Sequence, residues 1–221
     1  MEILFEDKHI IVALKPADIV SENQGDGQGF ADLLAAHTKG YIGTVHRLDR
    51  GVGGVMVYAK TKPAAAELSE QMRTHTFQKE YLALVHDVPT PAQGRWTDLL
   101  FHDRFANKTY VVDRKRGGVK EAILDYCVQE TAVIEDKKVA LVRISLQTGR
   151  THQIRVQFSH RKHPLWGDRK YGAPEGGPIG LFCTRLDFRH PVTKQPHSYS
   201  ALPLKEQWCC FSSLNGTKEN P

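Results

Sequence analysis

Between Glu121 and Leu146 the chain alternates apolar and polar residues in two runs, one on each side of the charged turn "EDKK" at Glu135–Lys138. A period of two sends successive side chains to opposite faces of a strand, so this stretch predicts a hairpin with one buried face. A lone hairpin is marginal in water, so this feature demands further strands beside it. Candidates are Ile3–Phe5, Ile10–Leu14 ended by Pro16, Val55–Ala59, Phe77–Asp87, "LFCTRLDF" from Leu181 and "HSYSAL" from His197. Helical spacing is confined to Phe30–His37, closed by Gly40, to a segment capped by Thr61 that carries Pro63, Leu68 and Met72, and to Thr151–His160 after a bend at Gly149. "SENQGDGQG" (Ser21–Gly29) and "PTPAQGRW" (Pro89–Trp96) read as loops, and the polar tail after Phe211 as frayed. Strands outnumber helices and most are joined as hairpins. The expected fold class is α+β, with a mixed, mostly antiparallel central sheet flanked by helices and loops.

A chain of 221 residues can bury a substantial core. Thirty basic residues against twenty-five acidic ones give a formal charge of +5, which puts nucleic acid ahead of other acidic partners. Cys127, Cys183, Cys209 and Cys210 form no C-x-x-C pair, and Cys127 and Cys183 read as small buried residues. The N-terminus lacks the layout of a signal peptide, and no apolar run approaches the roughly 18 residues of a membrane span. A cytoplasmic protein with no membrane partner is expected. No P-loop, dinucleotide fingerprint or Ser/His/Asp order is present, which leaves nucleotide and nicotinamide chemistry unsupported.

Three clusters could carry chemistry. In "HRLDRGVGG" (His46–Gly54), Asp49 stands between Arg47 and Arg50. An aspartate is already ionised at neutral pH, so the arginines are not needed to make the anion; they orient it or serve nearby phosphates. On an extended strand Arg47 and Asp49 point one way and Leu48 enters the core. The competing reading is an ion pair capping a turn. In "QTGRTHQIRVQFSHRKHP" (Gln147–Pro164), Arg150, Arg155, Arg161 and Lys162 interleave with His152, His160 and His163. Thr151 and Arg155 would share a helix face, and a helix start after Gly149 could offer N–H groups to a phosphate. A solvated basic face fits equally well, whereas the histidines lack a zinc spacing, so no metal is expected. In Asn107–Lys120, Arg114, Lys115, Arg116 and Lys120 surround two glycines, with Phe105 and Tyr110 upstream. A flexible cationic loop of this kind suits RNA; a mobile hairpin tip is the alternative. Tyr81 in "QKEYLALV" reads as a half-buried core tyrosine.

Taken in order, "ILFEDKHIIVALKP", "HRLDR" with Gly54 and "AKT", "KEYLALV", "TGRTHQIRVQFSHRKHPLWGDRKYG" and "LDFRHP" resemble the RluA-like family of RNA pseudouridine synthases, from about Ile3 to about Pro203. The resemblance implies the pseudouridine synthase catalytic fold, expected over 1–211; the polar residues 212–221 are expected to be a disordered tail, and no separate N-terminal RNA-binding module is expected. It implies an isomerase that detaches uracil, turns it and rejoins it through carbon, with no cofactor and no metal. Asp49 matches the catalytic aspartate, Tyr81 the tyrosine that stacks on the target base, Arg155 the basic residue paired with the aspartate, and Arg47 the arginine that helps displace the flipped nucleotide. Arg50, Arg114, Lys115, Arg116, Lys120, Arg150 and His152 complete the expected RNA-binding set. The expected partner is structured RNA, ribosomal before transfer RNA, met by a monomer.

Three departures from the family pattern stand out. Val52-Gly53-Gly54 replaces a usual Thr-Ser-Gly, Leu14 replaces an Asn before Lys15-Pro16, and Phe182-Cys183 replaces a His-Ala pair. The altered turn supports an alternative reading, an RNA-binding ribosome-assembly factor with little turnover. A hydrolase built on Asp49 would need a second carboxylate or a metal cluster.

Overall fold

The computed structural model describes residues 1–23, 25, 27–203 and 206–215. The chain forms two compact units, one from Met1–Glu80 and Phe182–Leu202, the other from Tyr81–Leu181 and the residues from Pro203 on.

In the first unit β1 (Glu2–Glu6) pairs antiparallel with β2 (Ile10–Lys15), and β2 pairs antiparallel with β4 (Gly53–Ala59). On its other side β4 runs parallel to β10 (Leu181–Arg189), with Phe182 opposite Gly53 and Cys183 opposite Gly54. The short β3 (Gly43–Thr44) also pairs with β4, and β11 (Pro196–Ser200) pairs antiparallel with β10. All of β4 is buried, which is why its sequence is a continuous apolar run instead of an alternation. The helix α1 (Phe30–Thr38) runs one residue past the expected His37 and is closed by Lys39 in place of Gly40, since Lys39 itself takes the left-handed position at φ 53°. Thr61 caps α2 (Lys62–Arg73) as expected, its hydroxyl accepting the Ala64 N–H at 3.3 Å. The amide of Gln71 fastens α2 to the end of β10, donating to the Arg189 carbonyl and accepting its N–H, both at 2.9 Å.

The second unit holds most of β5 (Gln78–His86), then β6 (Gln93–Asp103), β7 (Lys108–Val112), β8 (Val119–Ile134) and β9 (Lys137–Leu146), in the order β5-β9-β8-β6-β7. The β8–β9 pair is the hairpin that the alternation predicts. Its connection is Glu135–Asp136, both with positive φ, a geometry whose twist matches that of the flanking strands. The helix α3 (Gln153–His160) packs against β6 and β7, and Leu100, Ala122, Val156 and Tyr171 make a small core beneath it.

Several expectations are corrected. Half of the basic stretch Asn107–Lys120 is strand: β7 takes Lys108–Val112, β8 starts at Val119, and 113–118 connect the two. The second half of "PTPAQGRW" opens β6. Cys127 is half-buried, not buried. Of the tail, Ser212–Asn215 form a short helix, α4, with the Glu130 carboxylate accepting from the Ser212 and Ser213 N–H groups and the Ser212 hydroxyl, each at 2.9 Å. Residues 216–221 lie outside the described residues. Among the described residues no helix is long and apolar enough to cross a membrane.

Candidate active site

The segment carrying Asp49 alternates as expected: His46 and Leu48 are buried, Arg47 is exposed and Asp49 is half-buried. It is irregular backbone, yet it is tied on both sides of the aspartate. The Ser21 hydroxyl donates to the Leu48 carbonyl at 2.8 Å and accepts the Leu48 N–H at 2.9 Å. One residue further on, the Asp18 N–H donates to the Arg50 carbonyl at 2.8 Å, and the Val52 N–H closes the turn onto the Asp49 carbonyl at 3.0 Å. His46 Nε2 accepts the Val57 N–H at 3.2 Å, which hangs the segment on β4. Burial and the positive charge of Lys79 push the His46 pKa down to about 3, so the imidazole is a neutral strut at physiological pH.

Lys15 is 1% exposed and lies behind the same turn. Its ammonium donates to the carbonyls of Pro16 at 2.8 Å, Ile19 at 2.7 Å and Arg50 at 3.4 Å. Burial pushes its pKa down to about 8, against the opposing pull of the Asp49 and Asp18 carboxylates. At neutral pH a positive charge therefore sits beside Asp49 in a poorly hydrated setting, where its influence is larger than in water. The three departures from the family pattern converge on one patch of sheet here. Leu14 is opposite Val55, Gly53 opposite Phe182, and Gly54 opposite both Lys15 and Cys183. Gly54 has φ 132°, and a Cβ on it would lie 2.4 Å from the Cys183 carbonyl oxygen, so only glycine fits. Gly53 is less constrained, with the Lys15 carbonyl oxygen 3.3 Å and the Phe182 ring 3.5 Å from where its Cβ would be.

In the second unit Arg155 is 6% exposed and Asp168 only 1%. Nε of the guanidinium donates to Asp168 Oδ2 at 2.6 Å and Nη2 to Oδ1 at 2.8 Å, a fork matched to a carboxylate. The Tyr171 ring covers the same guanidinium at 4.9 Å from its centroid. The neighbouring basic residues separate into distinct roles. Arg161 is spent on Asp98, at 2.8 and 3.0 Å, and stacks over Trp96 at 4.3 Å. Arg150 Nε donates to the Glu121 carbonyl at 2.8 Å. Thr151 lies outside the helix, which starts at Gln153 after His152 adopts φ 54°. Two N–H groups near the helix start are engaged within the chain, Arg150's by Gln153 Oε1 at 3.0 Å and Gln153's by the Arg150 carbonyl at 3.0 Å.

Tyr81 is on β5 and 5% exposed, more buried than its sequence context suggests. Arg47, Arg50, Arg114, Lys115, Arg116 and Lys120 are all exposed, and Arg116 lies 5.0 Å over the Phe101 ring. Phe105 at the β6–β7 turn is fully exposed, held there by the Asp103 carboxylate, which accepts the N–H groups of Phe105 and Ala106. Asp49, with Arg47 and Arg50, is thus assembled in the first unit, and Arg155 and His152 in the second. Lys15, Ser21, Asp168 and Tyr171 were missed by sequence reasoning as members of the site. For Lys15, Asp168 and Tyr171 the signal available was their position in the "ALKP" and "GDRKYG" motifs, with nothing to say that they were buried; Ser21 lies in neither.

A family model for RNA pseudouridylate synthase matches residues 9–160, which include Asp49, Tyr81 and Arg155. A protein of Mycoplasma genitalium named as an uncharacterized RNA pseudouridine synthase is 31% identical, aligned over all of this chain and 72% of its own length. Ribosomal large subunit pseudouridine synthase D of Xylella fastidiosa is 32% identical over 95% of this chain and 67% of its own. Among solved structures, human RNA pseudouridylate synthase domain containing 4 superposes with a TM-score of 0.73 at 25% identity, covering 91% of this chain and 88% of that one. With the matched segment spanning well over half the sequence, the chain belongs to the RluA-like family of RNA pseudouridine synthases, and is an isomerase of that kind.

Proposed function

We propose that this enzyme converts specific uridines of structured ribosomal RNA to pseudouridine, by base flipping and through Asp49. The observation that carries the reading is the way Asp49 is presented: half-buried on a segment whose carbonyls and amides are held by Ser21, Asp18 and Lys15. A reactive carboxylate needs such fixed backbone, because misplacement by an ångström costs on the order of a hundredfold in rate. The name of the Xylella relative, a ribosomal large subunit enzyme, favours ribosomal over transfer RNA.

In this reading a uracil leaves its stack at a cost of a few kcal/mol, and the exposed Arg47 fills the vacancy. Tyr81 holds the extruded ring, and Arg155, its plane set by Asp168, directs the Asp49 carboxylate. Asp49 attacks as a nucleophile or stabilises the sugar cation while the base turns. The bond from C1′ to N1 is exchanged for one to C5, C5 loses its proton and N1 gains one, so the sum is an isomerisation with no cofactor or metal. Arg50, Arg114, Lys115, Arg116, Lys120, Arg150 and His152 meet the RNA backbone. Residues 1–211 act together as one catalytic domain of a cytoplasmic monomer.

The test incubates the protein and its Asp49→Asn variant with cellular RNA from a strain lacking the gene, followed by mapping of pseudouridine. New sites in ribosomal RNA with the wild type alone are expected. RNA binding without any new site would instead favour an assembly factor, and RNA or nucleoside cleavage a hydrolase.

A further inference from the structure

We propose that Tyr171 is a positioning residue for Arg155 and keys the direction of that guanidinium to the β6–β7 hairpin. The inference rests on the reading of Arg155 as part of the reaction centre.

Tyr171 ends the helical turn Arg169–Tyr171 that follows Asp168. The two residues hold Arg155 in different ways. The carboxylate fixes the edge of the guanidinium through two hydrogen bonds, and the ring, 4.9 Å from its carbon, packs on its face. A bidentate pair alone still allows carboxylate and guanidinium to swing together; a ring packed on the face removes that freedom. One turn along α3 from Arg155, the Ser159 hydroxyl donates to the Tyr171 carbonyl at 2.5 Å, so the turn grips the helix at two successive levels.

The phenol hydroxyl joins this grip to the hairpin. It accepts the Thr109 N–H of β7 at 2.8 Å and lies 2.8 Å from His152 Nδ1. An amide N–H can only donate, which leaves the hydroxyl's own proton available to His152 Nδ1 in the tautomer that carries its hydrogen on Nε2. The Thr109 hydroxyl continues the chain, donating to the Thr151 carbonyl at 2.9 Å and accepting from His102 Nδ1 at 3.1 Å. Thr109 is 1% exposed and Tyr171 5%, and burial raises the phenol pKa, so these bonds are shielded from water and made by a neutral hydroxyl. Lys108, beside Thr109, places its ammonium 5.5 Å from the same ring. The hairpin that presents Phe105 and Tyr110 to solvent is therefore rooted on the residue that faces the guanidinium.

The test uses full-length protein and a ribosomal RNA transcript tritiated at uracil C5, with release of label as the readout. Tyr171→Phe keeps the ring and removes the hydroxyl ties; Tyr171→Leu removes both. Tyr171→Leu is expected to lower kcat on the order of tenfold to a hundredfold, with KM changed less than about threefold, and Tyr171→Phe to fall between it and the wild type. Circular dichroism and thermal midpoints verify folding. If Tyr171→Leu does not fold, Tyr171→Phe decides alone: a lowered kcat at unchanged KM supports the keying, and a wild-type kcat overturns it. Folded variants with wild-type kcat, or a loss confined to KM, also overturn it. Arg155→Ala run in parallel separates the two claims. A wild-type kcat there overturns the reading of the site itself, whereas an inactive Arg155→Ala beside fully active Tyr171 variants overturns only the role of Tyr171.

Discussion

A buried lysine is costly unless every proton has an acceptor, and Lys15 meets that condition by bonding three backbone carbonyls. Replacing it with methionine leaves those carbonyls without their donor. Lys15→Met is expected to lower stability by about 1–3 kcal/mol, read as a shift of the urea midpoint, and to reduce kcat because the Arg50 carbonyl loses one of its two donors. A variant with unchanged midpoint and turnover would show the lysine to be dispensable. At this scale the candidate reactive residues were more legible in the sequence than the residues that hold them. Asp49 and Arg155 stood out because their motifs are unusual, whereas Ser21, Asp168 and Lys15 look ordinary. Ser21 acts on a residue 27 positions away, and Lys15 on one 35 away, and no local pattern encodes such distances.

Elements were legible where burial, of one face or of both, left a regular apolar pattern. The β8–β9 hairpin follows from alternation, and β4 from its unbroken apolar run. The β6–β7 hairpin was hidden because its turn is polar and the basic residues after it suggest a loop. Its turn chemistry was nevertheless present, in an aspartate that bonds two following amides and an asparagine, Asn107, at φ 44°. The helix α3 starts late because Gln153 turns its side chain back onto the Arg150 N–H and the Thr148 hydroxyl. Its far side is fixed by Asp98, which receives Arg161 and, at 2.6 Å, Gln157. Asp98→Ala is expected to destabilise the protein by about 1–3 kcal/mol, measured by thermal or urea unfolding. Arg161→Ala in the same background should then add little, since the two share one interaction. Full additivity would show the pair to be uncoupled.

For the whole molecule, charge predicts two behaviours. Glu175 is half-buried, which alone would raise its pKa, but the Gly167 N–H and His86 overcome this and hold it down at about 2. Hydrogen bonds from Ser213 and Ser212 hold Glu130 at about 2 as well. Both folded values lie below the ordinary 4.5, so each carboxylate adds stability that is complete above pH 4.5 and lost as pH falls through about 2. The difference in thermal midpoint between wild type and Glu175→Gln should therefore hold at neutral pH and shrink toward pH 2; a constant difference would contradict the assignment. Neutralising Arg114, Lys115 and Arg116 should weaken RNA binding and flatten its logarithmic salt dependence by about 0.7 per lost phosphate contact. An unchanged slope would mean that the turn is merely solvated.

On the ribosome, β4 emerges long before its parallel neighbour. The first unit is interrupted by the whole of 81–181, and β10 belongs to the stretch that comes afterwards. At ordinary synthesis rates those roughly one hundred residues take about 5–20 s. Throughout that interval the Gly53–Gly54 end of β4 lacks the strand that will lie against it, and an uncovered apolar edge is a template for wrong pairing. A nascent chain stalled before residue 182 thus carries "HRLDR" next to a sheet that cannot yet close, and the strand beside Gly53 and Gly54 is completed only once β10 has been made.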